Sequence, residues 1–131
     1  MKIELLVQGD PDIKPQTKIF YYNKSDDLIF QESTRVIKKR LENNLRLNVD
    51  ETLWLFVAFI ITSINEGKST NEISKHLPQL LGTNQVMIGV PESLRKLTFL
   101  ISKNGKQSDF LSISSPIRIN QYFFQEPEKT A

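Results

Sequence analysis

Leu53-Trp54-Leu55-Phe56-Val57-Ala58-Phe59-Ile60-Ile61 is the longest apolar run in the chain, and its reading decides the fold. These nine residues are too few for a membrane span, which needs about 20. The flanks predict a helix from about 48 to 66. Upstream, Asn48 and Glu51 have the spacing of a capping box. Downstream, Gly67 can take the left-handed conformation that closes a helix. A helix apolar on almost every side is buried on most sides. In a chain of 131 residues, either the domain wraps it fully or a partner chain covers the rest.

Outward from this helix, Ser69-Thr70-Asn71-Glu72 predicts the start of a third helix, with Ile73, Leu77 and Leu80 at helical spacing. Pro78 should end it, because proline lacks the amide proton and clashes with the preceding turn. A short helical turn over 83–88, closed by Gly89, is expected next. On the other side, a first helix is expected from Ser25. Ser25 or Asp26 would cap it, Leu28, Ile29, Val36, Ile37 and Leu41 would share one face, and Asn43-Asn44 would stop it.

Both ends of the chain change period. Residues 2–7 and 17–22 are β-prone and flank Gly9-Asp10-Pro11-Asp12, which predicts an N-terminal hairpin. Leu97, Phe99 and Ile101 alternate with Lys96, Thr98 and, less cleanly, Leu100, and Asn104-Gly105 suits the tight primed turn of a second hairpin returning over 110–114. A further strand is expected over 117–124 and a polar tail over 125–131. The fold class is therefore α+β: a bundle of about three helices followed by a β-hairpin, with an extra N-terminal β-hairpin. The expected division is a hairpin extension over 1–24, a central domain over 25–117, and a C-terminal strand and tail over 118–131.

The formal charge of +2 argues against a dedicated nucleic-acid binder, which concentrates basic residues on one face. The run Arg35-Val36-Ile37-Lys38-Lys39-Arg40 lies in a helical pattern and reads first as a solvated face. There are no cysteines, which removes disulfides, zinc–thiolate sites and cysteine nucleophiles together. Cysteine-free composition, the absence of a long apolar stretch at the N-terminus and the early Glu4 fit a cytoplasmic protein without a signal peptide or membrane span.

Candidate chemistry is sparse. His76 is the only histidine, so it cannot build an imidazole-rich metal cluster or be oriented in a nucleophilic set without outside help. Ser112, Ser114 and Ser115 lie near a strand end but outside any nucleophile elbow. The five glycines are scattered and form no phosphate-binding loop. Asp26-Asp27 and Asp50-Glu51 read as acids at the positive ends of helices. Trp54, Phe56 and Phe59 read as core. No catalytic, cofactor-binding or metal-ligating residue is expected on this chain.

Four segments, in order, resemble the urease gamma subunit family. Leu45-Arg46-Leu47-Asn48-Val49-Asp50-Glu51-Thr52 is similar to that family's LKLNYPEA, and Glu66-Gly67-Lys68-Ser69 to its DGKS. Gln85-Val86-Met87-Ile88-Gly89-Val90-Pro91-Glu92 is similar to DVMEGVPE, and Ser114-Ser115-Pro116-Ile117 to HNPI. The first three are in register without gaps, and the likeness covers about 27–117. Departures are Ile88 in place of an acid, Val49-Asp50 in place of Tyr-Pro, and Ser114-Ser115 in place of His-Asn; residues 1–24 are an addition.

The resemblance implies a helical bundle followed by a small β element. It also implies a non-catalytic structural subunit of a nickel-dependent, urea-hydrolysing complex, packed against alpha and beta subunits, with the nickel held by the alpha subunit. Two other readings of the residues stay open. One is a stand-alone gamma-like module that binds another protein or forms a homo-oligomer through its strand edges. The weaker is nucleic-acid binding through the 35–40 helix.

Overall fold

The computed structural model describes residues 1–119. Two strands, β1 (Lys2–Gln8) and β2 (Gln16–Tyr21), precede helices α1 (Asp27–Glu42), α2 (Val49–Asn65), α3 (Thr70–His76) and the single turn α4 (Val90–Ser93). Strands β3 (Lys96–Lys103) and β4 (Lys106–Ser114) follow. The α+β class expected from the sequence is the one observed.

The two hairpins are not separate. They join into one antiparallel sheet in the order β2-β1-β3-β4, with Leu5 opposite Phe99 and Ile3 opposite Ile101. Alternation in each strand sends Ile3, Leu5 and Val7, Leu97, Phe99 and Ile101, and Leu111 and Ile113 to one buried face. Helix α2 belongs to the same core. Leu53, Phe56, Val57 and Ile60 are at most 1% exposed, which places this helix inside the domain and leaves only Val49, Trp54, Phe59 and Ile64 of its apolar positions partly covered. The fold itself therefore wraps the apolar run.

Local chemistry fixes the ends of α2 as expected. The Asn48 side chain accepts from the Glu51 amide at 2.8 Å, and the Glu51 carboxylate accepts from the Asn48 amide at 3.0 Å. Gly67, with φ of 80°, follows the last turn. Asn104 and Gly105 both have positive φ, the conformation a primed two-residue turn demands. A bulge at Ile101/Ser102 shifts the register near this turn, and β4 starts at Lys106, earlier than expected.

Several expectations are corrected. The buried side of α1 is Phe30 and Ile37, with Leu41 packed beside them; Leu28, Ile29 and Val36 are exposed at 84%, 71% and 49%. A turn of 3-10 helix over Lys24–Asp26 leads into α1, and neither Ser25 nor Asp26 is its side-chain cap. In α3 only half of the capping box forms: the Glu72 amide donates to Ser69 Oγ at 3.3 Å, while the Glu72 carboxylate meets that hydroxyl instead of the Ser69 amide. Residues 83–88 hold one 3-10 turn, Thr83–Gln85, before Val86 extends. Gly89, with φ of 93°, starts α4 instead of ending a helix. Residues 117–119 form no strand, only a bridge from Arg118 to Gly82; the remainder of the strand expected over 117–124, and the tail, lie outside the described residues.

The N-terminal turn is locked onto α4. Asp10 donates its amide to Glu92 O at 2.9 Å, Arg95 donates its amide to Gln8 O at 2.9 Å, and Arg95 Nε reaches Asp10 Oδ1 at 2.7 Å. Gly9 sits where this contact is tightest. A Cβ there would lie 2.8 Å from Glu92 O and 3.0 Å from Ser93 Cα, both backbone atoms that cannot swing aside. Gly9→Ala should therefore destabilise the chain by about 1–3 kcal/mol through overpacking. Urea denaturation measures this, and a stability equal to wild type would show that α4 gives way freely.

Candidate partner interface

Two of the segments singled out in the sequence meet in space. Residues 45–48 leave α1 through Asn44, which has φ of 61°, and run alongside residues 85–87. Leu47 donates its amide to Gln85 O at 3.0 Å, and Met87 donates its amide back to Leu47 O at 2.8 Å, forming a parallel bridge between Leu47 and Val86. Both bridging side chains are buried, which pins the bridge to the core. Around it the surface is apolar: Leu45 is 48% exposed, Met87 41% and Ile88 96%. A nearly fully exposed isoleucine on a segment held by backbone hydrogen bonds and a Gly89 turn is a rigid apolar protrusion. Such a group gains free energy only when another surface covers it.

Beside α1 and α2 runs an apolar groove of about 270 Å³, lined by Leu41, Leu55, Ala58, Phe59 and Leu80 with Lys38 at its edge. Its walls are hydrocarbon with two threonine hydroxyls, Thr34 and Thr62. Thr34 already donates its hydroxyl to Phe30 O at 2.9 Å. The groove offers shape and apolar surface, without a nucleophile and base set together.

The other sequence candidates are placed as follows. His76 is exposed in the last turn of α3. Among the described residues, no three histidine, cysteine or acidic side chains are grouped so as to hold a metal ion. Ser115 lies in a left-handed turn, its amide donating to Arg95 O at 2.8 Å, and Ser112 and Ser114 are exposed on β4. Asp50 pairs with Lys18 at 3.3 Å, tying β2 to the start of α2. The basic run is partly neutralised: Arg35 pairs with Glu32 at 2.6 Å, and Arg40 Nε lies 2.8 Å from Glu51 Oε2, at an angle too bent for a hydrogen bond. That leaves Lys38 and Lys39 as the exposed cations of the run. No helix among the described residues is long and apolar enough to cross a membrane.

Sequence reasoning missed an aromatic cluster that joins β2, α1 and α2. Phe30 stands edge-on to Tyr22 at 5.0 Å and tilted against Trp54 at 5.8 Å, and Trp54 meets Phe20 at 6.2 Å. The Trp54 indole N–H is buried there without a protein acceptor, which nothing in the structure explains. Tyr22 donates its hydroxyl to Asp27 Oδ1 at 2.7 Å. That bond raises the phenol above its ordinary 10.0, helped by desolvation and by the negative charge of Asp27. Asp27 thus anchors the aromatic cluster as well as contributing an acid to the first turn of α1.

The folded state holds the Tyr22 proton more tightly than the unfolded state, so this contribution to stability is complete below pH 10 and is lost as pH rises through the raised folded value. Ultraviolet titration should find a phenol ionising above 10 that returns toward 10 in Asp27→Ala. An unchanged titration in that variant would show that the hydrogen bond is not the cause.

Comparison with known proteins agrees with the bridged segments. Residues 20–117 match the family described as urease, gamma subunit. One relative, "Urease subunit gamma" of Halalkalibacterium halodurans, is 35% identical over 60 residues, which is 46% of this chain and 60% of that protein. The match with this relative thus spans less than two thirds of its length. The family match contains all four helices, both strands of the C-terminal hairpin and the Leu47–Val86 bridge, and on that extent the chain belongs to the urease gamma subunit family.

Proposed function

We propose that this chain is a non-catalytic structural subunit of a nickel-dependent urease complex that hydrolyses urea, packed against alpha and beta subunits. The family match over 20–117 carries this reading. The surface agrees with it, since the bridge between 45–48 and 85–87 presents Leu45, Met87 and Ile88 for burial by a partner. The donor set of this chain does not fit a nickel centre: it has one histidine, exposed on α3, and no ligand-like group among the described residues. The metal and the water it activates are accordingly assigned to the alpha subunit. This chain's part is to shape and stabilise the assembly.

Co-expression with the urease alpha and beta genes tests this. The expected result is one complex containing this chain and nickel. Ile88→Asp should weaken retention of the chain about tenfold or more, because burying an isoleucine contributes about 1.5–3 kcal/mol. If the chain elutes alone while alpha and beta assemble fully active without it, the reading fails.

A further inference from the structure

The helices cover one side of the sheet, and the register shows what lies on the other. Ile19, Glu4, Leu100 and Phe110 stand in one row across all four strands. Leu6 and Tyr21, each two residues along its strand, flank that row on the same side. Ile19 is 50% exposed, Tyr21 72% and Phe110 56%. Leu6 lies in the next row between three small hydroxyl residues, Thr17, Thr98 and Ser112. Beyond the family match, which starts at residue 20, lie all of β1 and the first four residues of β2. The outer face is thus built half from the matched region and half from strands outside it.

From this arrangement we infer that the outer face of the sheet is a homodimer interface, packed face to face against the same face of a second copy. Three observations favour a second copy. First, charge is sparse and self-cancelling on this face. Its charged strand residues are Lys2, Glu4 and Lys96, and Lys2 is already paired with Glu4 at 3.2 Å. Two identical faces then meet without strong like-charge repulsion, and interface centres are depleted in charge. Second, the strand edges are poor templates. Pro15 and Lys14 precede β2, and β3 and β4 carry a bulge beside their turn, both devices that blunt edge pairing. Third, the area is adequate only with all four strands. Four strands about 4.8 Å apart, each of about seven residues at about 3.3 Å, cover roughly 19 by 23 Å. Side-chain relief brings that toward about 600 Å² per partner, the low end for specific complexes. A bare β3–β4 hairpin would offer half.

The large central side chains, Leu100 and Phe110, with short hydroxyls beside them, suit the interdigitation of two sheets stacked about 10 Å apart. An isologous contact of this kind closes as a two-fold dimer and leaves the α2 core undisturbed. It does not depend on the urease reading.

Sedimentation equilibrium of the full chain alone, up to about 200 μM, tests it. The expected result is a monomer–dimer equilibrium with a micromolar Kd. Phe110→Lys and Tyr21→Lys, both at exposed positions, should each weaken it at least tenfold with an unchanged urea midpoint, while Ile88→Lys leaves it unaltered. A chain that stays monomeric overturns the inference. A dimer indifferent to both sheet substitutions overturns it as well. Neither result touches the proposed subunit role, which is read from assembly with alpha and beta.

Discussion

Deletion of residues 1–22 is expected to abolish cooperative unfolding of the remaining chain. The deleted hairpin contributes Ile3, Leu5 and Val7 to the core, each 6% exposed or less. Burying each such side chain contributes about 1.5–3 kcal/mol, so the three together approach the 5–15 kcal/mol that holds a typical domain folded. Deletion also strips β3 of its β1 neighbour, leaving the backbone of a central strand unpaired, and removes the Gly9–Asp10 contact with α4. Trp54, the only tryptophan, touches Phe20 and reports the transition by fluorescence. The full chain should give one sigmoidal urea curve and the shortened chain a gradual drift. A cooperative curve for residues 23–131 with a midpoint near the full chain's would show that 25–117 folds without the hairpin, the division expected from sequence. Leu5→Asp, in the full-length chain, should reproduce most of the effect.

That test turns on what a sequence can and cannot encode locally. Helix α2 was legible because its signals are close in the chain: a capping pair three residues apart, an apolar run, and a glycine at the end. The Asn104-Gly105 hairpin was legible for the same reason. The pairing of β1 with β3 was not, since Leu5 and Phe99 are far apart in sequence and strand alternation names a face but not a neighbour. On α1 the pattern admits two stripes. Leu28, Ile29 and Val36 form one, and Phe30, Ile37 and Leu41 the other; the aromatic contacts of Phe30 with Tyr22 and Trp54 select the second. The same limit applies at the candidate interface. Residues 45–52 and 85–92 carried the family likeness, but the Leu47–Val86 bridge that makes them one surface is a long-range backbone contact. Gly89 was misplaced because a left-handed glycine serves a helix start as well as a stop, and only its φ and its neighbours distinguish the two.

Phe56→Ala should cost about 3–5 kcal/mol, the range for removing a fully buried aromatic ring. Phe56 is 0% exposed at the middle of α2, in the core that the sheet and α1 close around. Truncation there loses the transfer free energy of the ring and leaves a cavity that two rigid layers cannot collapse to fill. For a chain of this length, the melting temperature should fall by roughly 10–20 °C. Phe110→Ala is the matched control, with the same atoms removed from a ring that is 56% exposed on the outer sheet face. In dilute solution, below any self-association, it should change stability by about 0.5 kcal/mol or less. Equal shifts for the two variants would mean that α2 is not the centre of the core. The contrast also separates stability from assembly. A Phe56→Ala chain that fails to join a urease complex would fail because it unfolds and is cleared, whereas Ile88→Asp should fail while folded. Unfolding midpoints measured on both variants, beside their retention by alpha and beta subunits, distinguish a structural support from a contact surface.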